Sequence, residues 1–165
     1  MQPPVPNGDP GQRGAFVVRA GTNGDLQRVV ELLTLGALPG SAPGVEDPAD
    51  LVPYQLALAA SGHAGGGVLV AEIDGEVLGV CQLIVFRHLQ SRGGLCAEIE
   101  SVHVHPEHRG MGVGTALLRA AISRARDLGC YRVQLTSNLR RPDAHRLYER
   151  LGFTPSHTGF KMLLL

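Results

Sequence analysis

Between Val102 and Thr115 the chain reads VHVHPEHRGMGVGT, with three alternating glycines set between a strand-like stretch and a helical one. Alternating glycines let the backbone curl until successive N–H groups point into one concavity, a nest for an anion. The helix that follows adds its own unpaired N–H groups and the positive end of its dipole. A phosphate or pyrophosphate is the natural occupant of such a strand–turn–helix. The nucleotide-triphosphate loop GxxxxGK[ST] is excluded because no lysine follows these glycines. The dinucleotide pattern GxGxxG fails because Thr115 stands where the third glycine belongs. What remains is R-x-x-G-x-G at Arg109, Gly112 and Gly114, preceded by V-x-P at Val104 and Pro106.

The rest of the chain supplies a sheet and helices around this turn. Residues 1–14 hold four prolines and no periodicity and read as a disordered tail, so the folded domain is expected over 15–165. Ala15–Arg19 is a short strand. Thr22 or Asn23 caps a helix over about Gly24–Leu35, and Asp25 in its first turn favours the helix dipole. Gly36–Pro53, with four prolines and three glycines, is a loop, and a second helix covers Val52–Ser61. The period then becomes strand-like: Val68–Ile73, an Asp74-Gly75 hairpin turn, Glu76–Arg87 and Leu95–Val104. The helix after the glycine turn carries Leu117, Leu118, Ala121, Ile122, Ala125 and Leu128 on one side and is stopped by Gly129. Tyr131–Thr136 is a strand, and Pro142 starts a last helix that ends at Gly152. Two short strands near Phe153–Pro155 and Phe160–Leu165 close the chain. The expected order is β-α-α-β-β-β-α-β-α-β-β. It describes an α/β fold with a mixed, mostly antiparallel sheet of about six to seven strands flanked by four helices.

Charge and cysteine content narrow the functional classes. The net charge is zero, which argues against a general nucleic-acid binder. Its distribution is uneven, since residues 1–100 carry 11 acidic and 5 basic side chains and residues 101–165 carry 4 and 10. An acidic front and a basic rear suit a cationic ligand on one side and an anionic one on the other. No apolar run reaches a membrane span, and the N-terminus lacks the pattern of a secretory signal. Cys81, Cys96 and Cys130 are scattered among apolar neighbours and read as buried free thiols of a cytoplasmic protein.

The glycine turn resembles the signature loop of the GNAT superfamily of acetyl-CoA-dependent N-acetyltransferases, [QR]-x-x-G-x-[GA], which wraps the coenzyme A pyrophosphate. A second stretch is similar too: Leu135-Thr-Ser-Asn138, then Ala144-His-Arg-Leu-Tyr148-Glu-Arg-Leu-Gly152-Phe153. Arg19 and Asp25 fit the family's usual opening. The resemblance covers roughly Ala15 to the C-terminus, and it departs from the family in a longer, proline-rich first loop and in Pro142. It implies acetyl transfer from acetyl-CoA to a primary amine of a small molecule, by direct attack on the thioester. It also implies cofactor contacts at Val102, His103 and Val104, through Arg109, Gly110, Met111, Gly112, Val113, Gly114 and Thr115, and at Asn138. Tyr148 becomes the acid that protonates the coenzyme A sulfur; on helical spacing alone it would be core packing. Many relatives are homodimers.

Glu98 and Glu100 lie two apart on one strand and so share a face. Glu100 matches a site-facing acid of small-molecule members and is the first choice as base or amine anchor. Glu98 matches the general base of some protein-acetylating members and is the runner-up. Either carboxylate alternatively serves as an exposed or arginine-paired surface group. His103, His105 and His108 are close in sequence, but no carboxylate completes a metal set, so no metal is expected. The alternatives in function are a protein N-terminal or lysine acetyltransferase and a non-catalytic acyl-CoA-binding sensor. The acceptor's identity is not written in these motifs, because the Gly36–Pro53 loop and the hairpins set it.

Overall fold

The computed structural model describes residues 16–38, 46–162 and 164, so the predicted tail and residues 39–45 of the proline-rich loop lie outside the described residues. The elements run β1 (Val17–Ala20), α1 (Leu26–Gly36), α2 (Val52–Ser61), β2 (Gly67–Ile73), β3 (Glu76–Arg87), α3 (Gln90–Gly93), β4 (Leu95–Val104), α4 (Val113–Asp127), β5 (Arg132–Leu135) and α5 (Pro142–Arg150). The sheet order is β1-β2-β3-β4-β5, with every pair antiparallel except the parallel β4–β5. The β2–β3 turn carries Asp74 and Gly75 at φ 51° and 83°, the left-handed pair that a two-residue hairpin requires.

Two expectations need correction. The described sheet has five strands, not six or seven. Thr154–Met162 runs without strand pairing, so the strands expected near Phe153–Pro155 and Phe160–Leu165 are not formed among the described residues. The edge they would join is short, since β5 has only four residues, and Pro155 has no N–H to give a ladder. Besides the four expected helices, α3 forms one irregular turn in which Ser91 and Arg92 sit at φ 53° and 59°. Its sequence, Gln-Ser-Arg-Gly, has no apolar periodicity to announce it.

Each face of the sheet is covered separately. α4 lays Val113, Leu117, Leu118, Ala121 and Ala125 against Cys81, Leu83, Val85, Ala97 and Ile99. Fully buried leucines such as Leu117 and Leu118 contribute about 1.5–3 kcal/mol each. α1 covers the other face, packing Val29 and Leu32 on Val70, Val77 and Val80. The entry to α1 is locked by charge. Arg19 grips Asp25 through two hydrogen bonds of 2.8 Å and reaches Glu72 at 2.8 Å through Nε. Asp25 also accepts from the Thr22 N–H and hydroxyl, and these bonds hold its carboxyl well below the usual carboxylate range.

One irregularity decides which side chains reach which face. Gln82 pairs with Glu100 and Val80 with His103, so Cys81 faces both Ser101 and Val102. This is a β-bulge, and Ser101 takes φ 52° to make it. It resets the alternation of β4. Glu98, Glu100 and His103 point to the α1 side, whereas Ala97, Ile99, Val102 and Val104 pack on the α4 side.

Candidate active site

β4 and β5 pair only from Cys96↔Arg132 to Ile99↔Leu135. Beyond that point β4 runs on to Val104, while the chain leaving β5 turns toward α5, and the two separate like the arms of a V. A polar cleft of about 290 Å³ opens between the arms, lined by Glu100, Val102 and His103 on one side and by Ser137, Asn138, Arg141 and Tyr148 on the other. Lys161, from the unpaired C-terminal segment, also lines it.

The glycine turn follows at the far end of β4. Gly110 and Gly112 take φ 79° and 94°, values at which a Cβ would be strained, and Gly112 is the residue that caps α4. The Arg109 Nε donates to the carbonyl of Val104 at 3.3 Å, drawing the turn back over the end of the strand. The Val113 side chain is buried in the core, so this residue has only its N–H to offer a ligand. Gly114 brings α4 close to its neighbours; a Cβ there would stand 3.4 Å from Leu147 and 3.6 Å from Val104. The first-turn N–H groups of α4 have no helical partner and face out of this turn.

The cleft therefore gathers Glu100, Val102, His103, Asn138 and Tyr148 from the expected set. Glu98 does not line it; its carboxylate accepts from the Gln134 amide at 3.2 Å. Residues 109–115 form a separate cradle farther along β4. Asn138 has a structural duty as well, because its side-chain oxygen accepts the Arg140 N–H at 2.9 Å and shapes the turn into α5. Five polar cleft residues were not among the expected site residues: Ser101, Thr136, Ser137, Arg141 and Lys161. Arg141 had a legible signal, since a residue before proline is held out of the helix and turned away from it.

Electrostatics in the cleft separate the groups by role. Burial raises the Glu100 carboxyl above its ordinary value, the Glu98 charge pushes the same way, and Lys161 pulls against both. Burial raises the Tyr148 phenol, with Arg141 opposing, so it stays a proton donor at neutral pH. The Tyr148 ring is also packed against the α4 core and meets Phe153 edge-on at 6.1 Å. Burial first, and then the charges of Arg141 and Arg109, lower His103 to about 4, so its imidazole is neutral. The His105 and His108 rings meet at a tilt of 60°, with centroids 5.5 Å apart. Among the described residues no group of three or more His, Cys, Asp or Glu side chains is placed to hold a metal ion. No helix of the described residues is long and apolar enough to cross a membrane.

An aminoalkylphosphonate N-acetyltransferase of Salmonella typhimurium is 37% identical over 91 residues, covering 55% of this chain and 58% of that enzyme. The first three curated relatives are matched over only 58%, 38% and 31% of their own lengths. A solved structure titled a transcriptional regulator from Bacillus halodurans C-125 superposes with TM-score 0.79 at 34% identity, covering 90% of this chain and 99% of that one. A putative acetyltransferase from Salmonella typhimurium, solved with its cofactor acetyl-CoA, superposes with TM-score 0.69 at 27% identity over 84% of this chain and 79% of that one. The acetyltransferase (GNAT) family model matches residues 32–153, a span from the middle of α1 to just past α5 that holds the cradle and every cleft residue except Lys161. The chain belongs to the acetyltransferase (GNAT) family.

Proposed function

We propose that this protein transfers the acetyl group of acetyl-CoA to the primary amine of a small molecule. The observation that carries this reading is the separation of β4 from β5 beside a glycine cradle. The cradle suits the pyrophosphate. The unpaired edge of β4 past Ile99 offers backbone groups to an extended pantetheine arm, as a sheet edge does to an added strand. In this reading the thioester lies at the cleft holding Glu100 and Tyr148. Relatives named for aminoalkylphosphonate and L-amino acid acylation support a small-molecule acceptor.

The reaction needs a neutral amine, a polarised carbonyl and a proton for the departing sulfur. Glu100 takes a proton from the bound ammonium, directly or through water. The amine nitrogen attacks the thioester carbon, a backbone N–H of the β4 edge binds the oxygen as charge grows on it, and the C–N bond forms as the C–S bond breaks. Tyr148 gives its hydroxyl proton to the thiolate and is reprotonated, through water, by the second proton that the nitrogen loses as it becomes an amide; the proton on Glu100 passes to solvent. Positioning and fixed dipoles carry the rate, with no covalent enzyme intermediate.

An acceptor screen followed by release of free coenzyme A thiol tests the proposal. Acetylation of small amines is the expected result. Acetylation confined to peptides would move the assignment to a protein N-terminal or lysine acetyltransferase. Tight acetyl-CoA binding without transfer would favour a sensor, a reading the likeness to a protein titled a transcriptional regulator makes worth an arm of the assay.

A further inference from the structure

The cleft contains a cation with no counter-charge of its own. Arg141 donates to the carbonyl of Gly36, and no carboxylate lies within 4 Å of its guanidinium among the described residues. A half-buried guanidinium left unpaired is unfavourable, and its planar fork matches a carboxylate or a phosphate-like group. The pyrophosphate cradle is not its partner. Gly36 ends α1, so Arg141 reaches the α1 face of the sheet, the face that also carries Glu100 and His103. The cradle begins α4, on the opposite face. Arg141 therefore stands where an acceptor enters, together with Lys161 and across from Glu100.

A second cavity adjoins this place. Ser101, the bulge residue, lines both the polar cleft and an apolar hollow of about 90 Å³ walled by Leu26, Val29, Leu33, Tyr54 and Leu58. The hollow is smaller than the cavity of about 150 Å³ that accepts a benzene ring. A short aliphatic group fits it and an aromatic ring does not.

We infer that the acceptor is an aliphatic amino acid or its aminophosphonate counterpart, held with its ammonium at Glu100, its anionic group at Arg141 and its side chain in the hollow beside Ser101. This rests on the acetyltransferase reading above. The three anchors fix the amine at one distance from the thioester. Removing the anion leaves Arg141 unpaired in the complex and removes the contact that orients the nitrogen.

The test compares kcat/KM for four acceptors: valine, isobutylamine (the same chain without the carboxylate), the phosphonate analogue of valine, and phenylalanine. Valine and the phosphonate should exceed isobutylamine by tenfold or more, and phenylalanine should fall well below valine. In Arg141→Met the ratio of valine to isobutylamine should collapse toward one, and Arg141→Lys should retain part of it. Calorimetric binding of acetyl-CoA reports whether each variant is folded; if Arg141→Met is not, the wild-type ratios decide alone. Isobutylamine equal to or better than valine overturns the inference and leaves the transferase reading standing. No transfer to any of the four, with acetyl-CoA bound, overturns this inference; the transferase reading falls only if the wider acceptor screen also shows no transfer.

Discussion

Gly36 and His103 occupy one space: a Cβ built on Gly36 would stand 1.7 Å from the His103 Nδ1. The last residue of α1 is thus a glycine for packing and not for backbone freedom, since its conformation is ordinary helix. Gly36→Ala should destabilise the protein by about 1–3 kcal/mol by forcing the imidazole off its rotamer. Combining it with His103→Ser should recover most of the loss, because the small side chain vacates the space. Chemical denaturation of the two single variants and the double variant measures the coupling, and simple additivity would refute the contact.

The same histidine makes stability depend on pH. Its folded value near 4 lies below the ordinary 6.5, so the folded state favours the neutral ring. The contribution is complete above about pH 6.5. It is lost as pH falls toward 4, where the unfolded chain takes up a proton that the folded one refuses; the loss is at most about 3 kcal/mol and smaller where the ring meets water. His103→Gln should flatten that part of the stability curve in denaturation at stepped pH.

Glu100 and Glu98 should separate in pH–rate profiles. Because the Glu100 carboxyl is raised above its ordinary value, the acidic limb of kcat/KM should lie above the range of a free glutamate. Glu100→Gln should remove that limb. Glu98→Gln should keep it and move it to lower pH, since one source of the upward shift is gone. Unaltered profiles in both would leave a water chain as the base.

Tyr148→Phe keeps the ring against Phe153 and deletes the proton donor. Turnover should fall on the order of 10²-fold with acetyl-CoA affinity nearly unchanged. A drop in melting temperature at constant rate per folded molecule would instead assign Tyr148 to packing alone.

At Gly112, substitution tests the cradle. Aspartate there meets strain at φ 94° and sets a carboxylate against the anion that the N–H groups receive. Acetyl-CoA should bind more than tenfold more weakly, about 1.4 kcal/mol or more, by calorimetry. Equal affinity would move the pyrophosphate elsewhere.

Much of this architecture could be read from local signals. Glu76–Arg87, Leu95–Val104 and Val52–Ser61 begin and end where alternation, the hairpin dipeptide and Gly62 say they should. Arg19 and Asp25 stood out in sequence only through the family's opening pattern, and their bidentate contact supplies the reason for it. The bulge was not visible, because a serine at positive φ inside a β-branched stretch leaves no pattern. Arg141 and Lys161 enter the cleft from segments distant in sequence from Glu100, and only the tertiary fold brings them together. The missing terminal strands show the opposite case, apolar alternation at Phe160, Met162 and Leu164 with too short an edge to join.

The extra residue at Ser101 gives β4 something like a reading frame. A regular strand keeps its inward and outward sides on losing two residues and exchanges them on losing one, but at the bulge the rule is reversed. Without Ser101, Glu100 and His103 are two apart and still share the α1 side, with Val102 and Val104 on the α4 side. Removing Ser101 and Val102 together would exchange the sides of everything that follows: Val104 would turn toward α1, the His103 ring would be driven against α4, and Arg109 would lose the carbonyl that anchors it. Glu98 and Glu100, upstream, would stay where they are. A one-residue deletion at 101 should therefore be absorbed by loss of the bulge, whereas the two-residue deletion should disable cofactor capture while leaving the acidic side of the sheet in register.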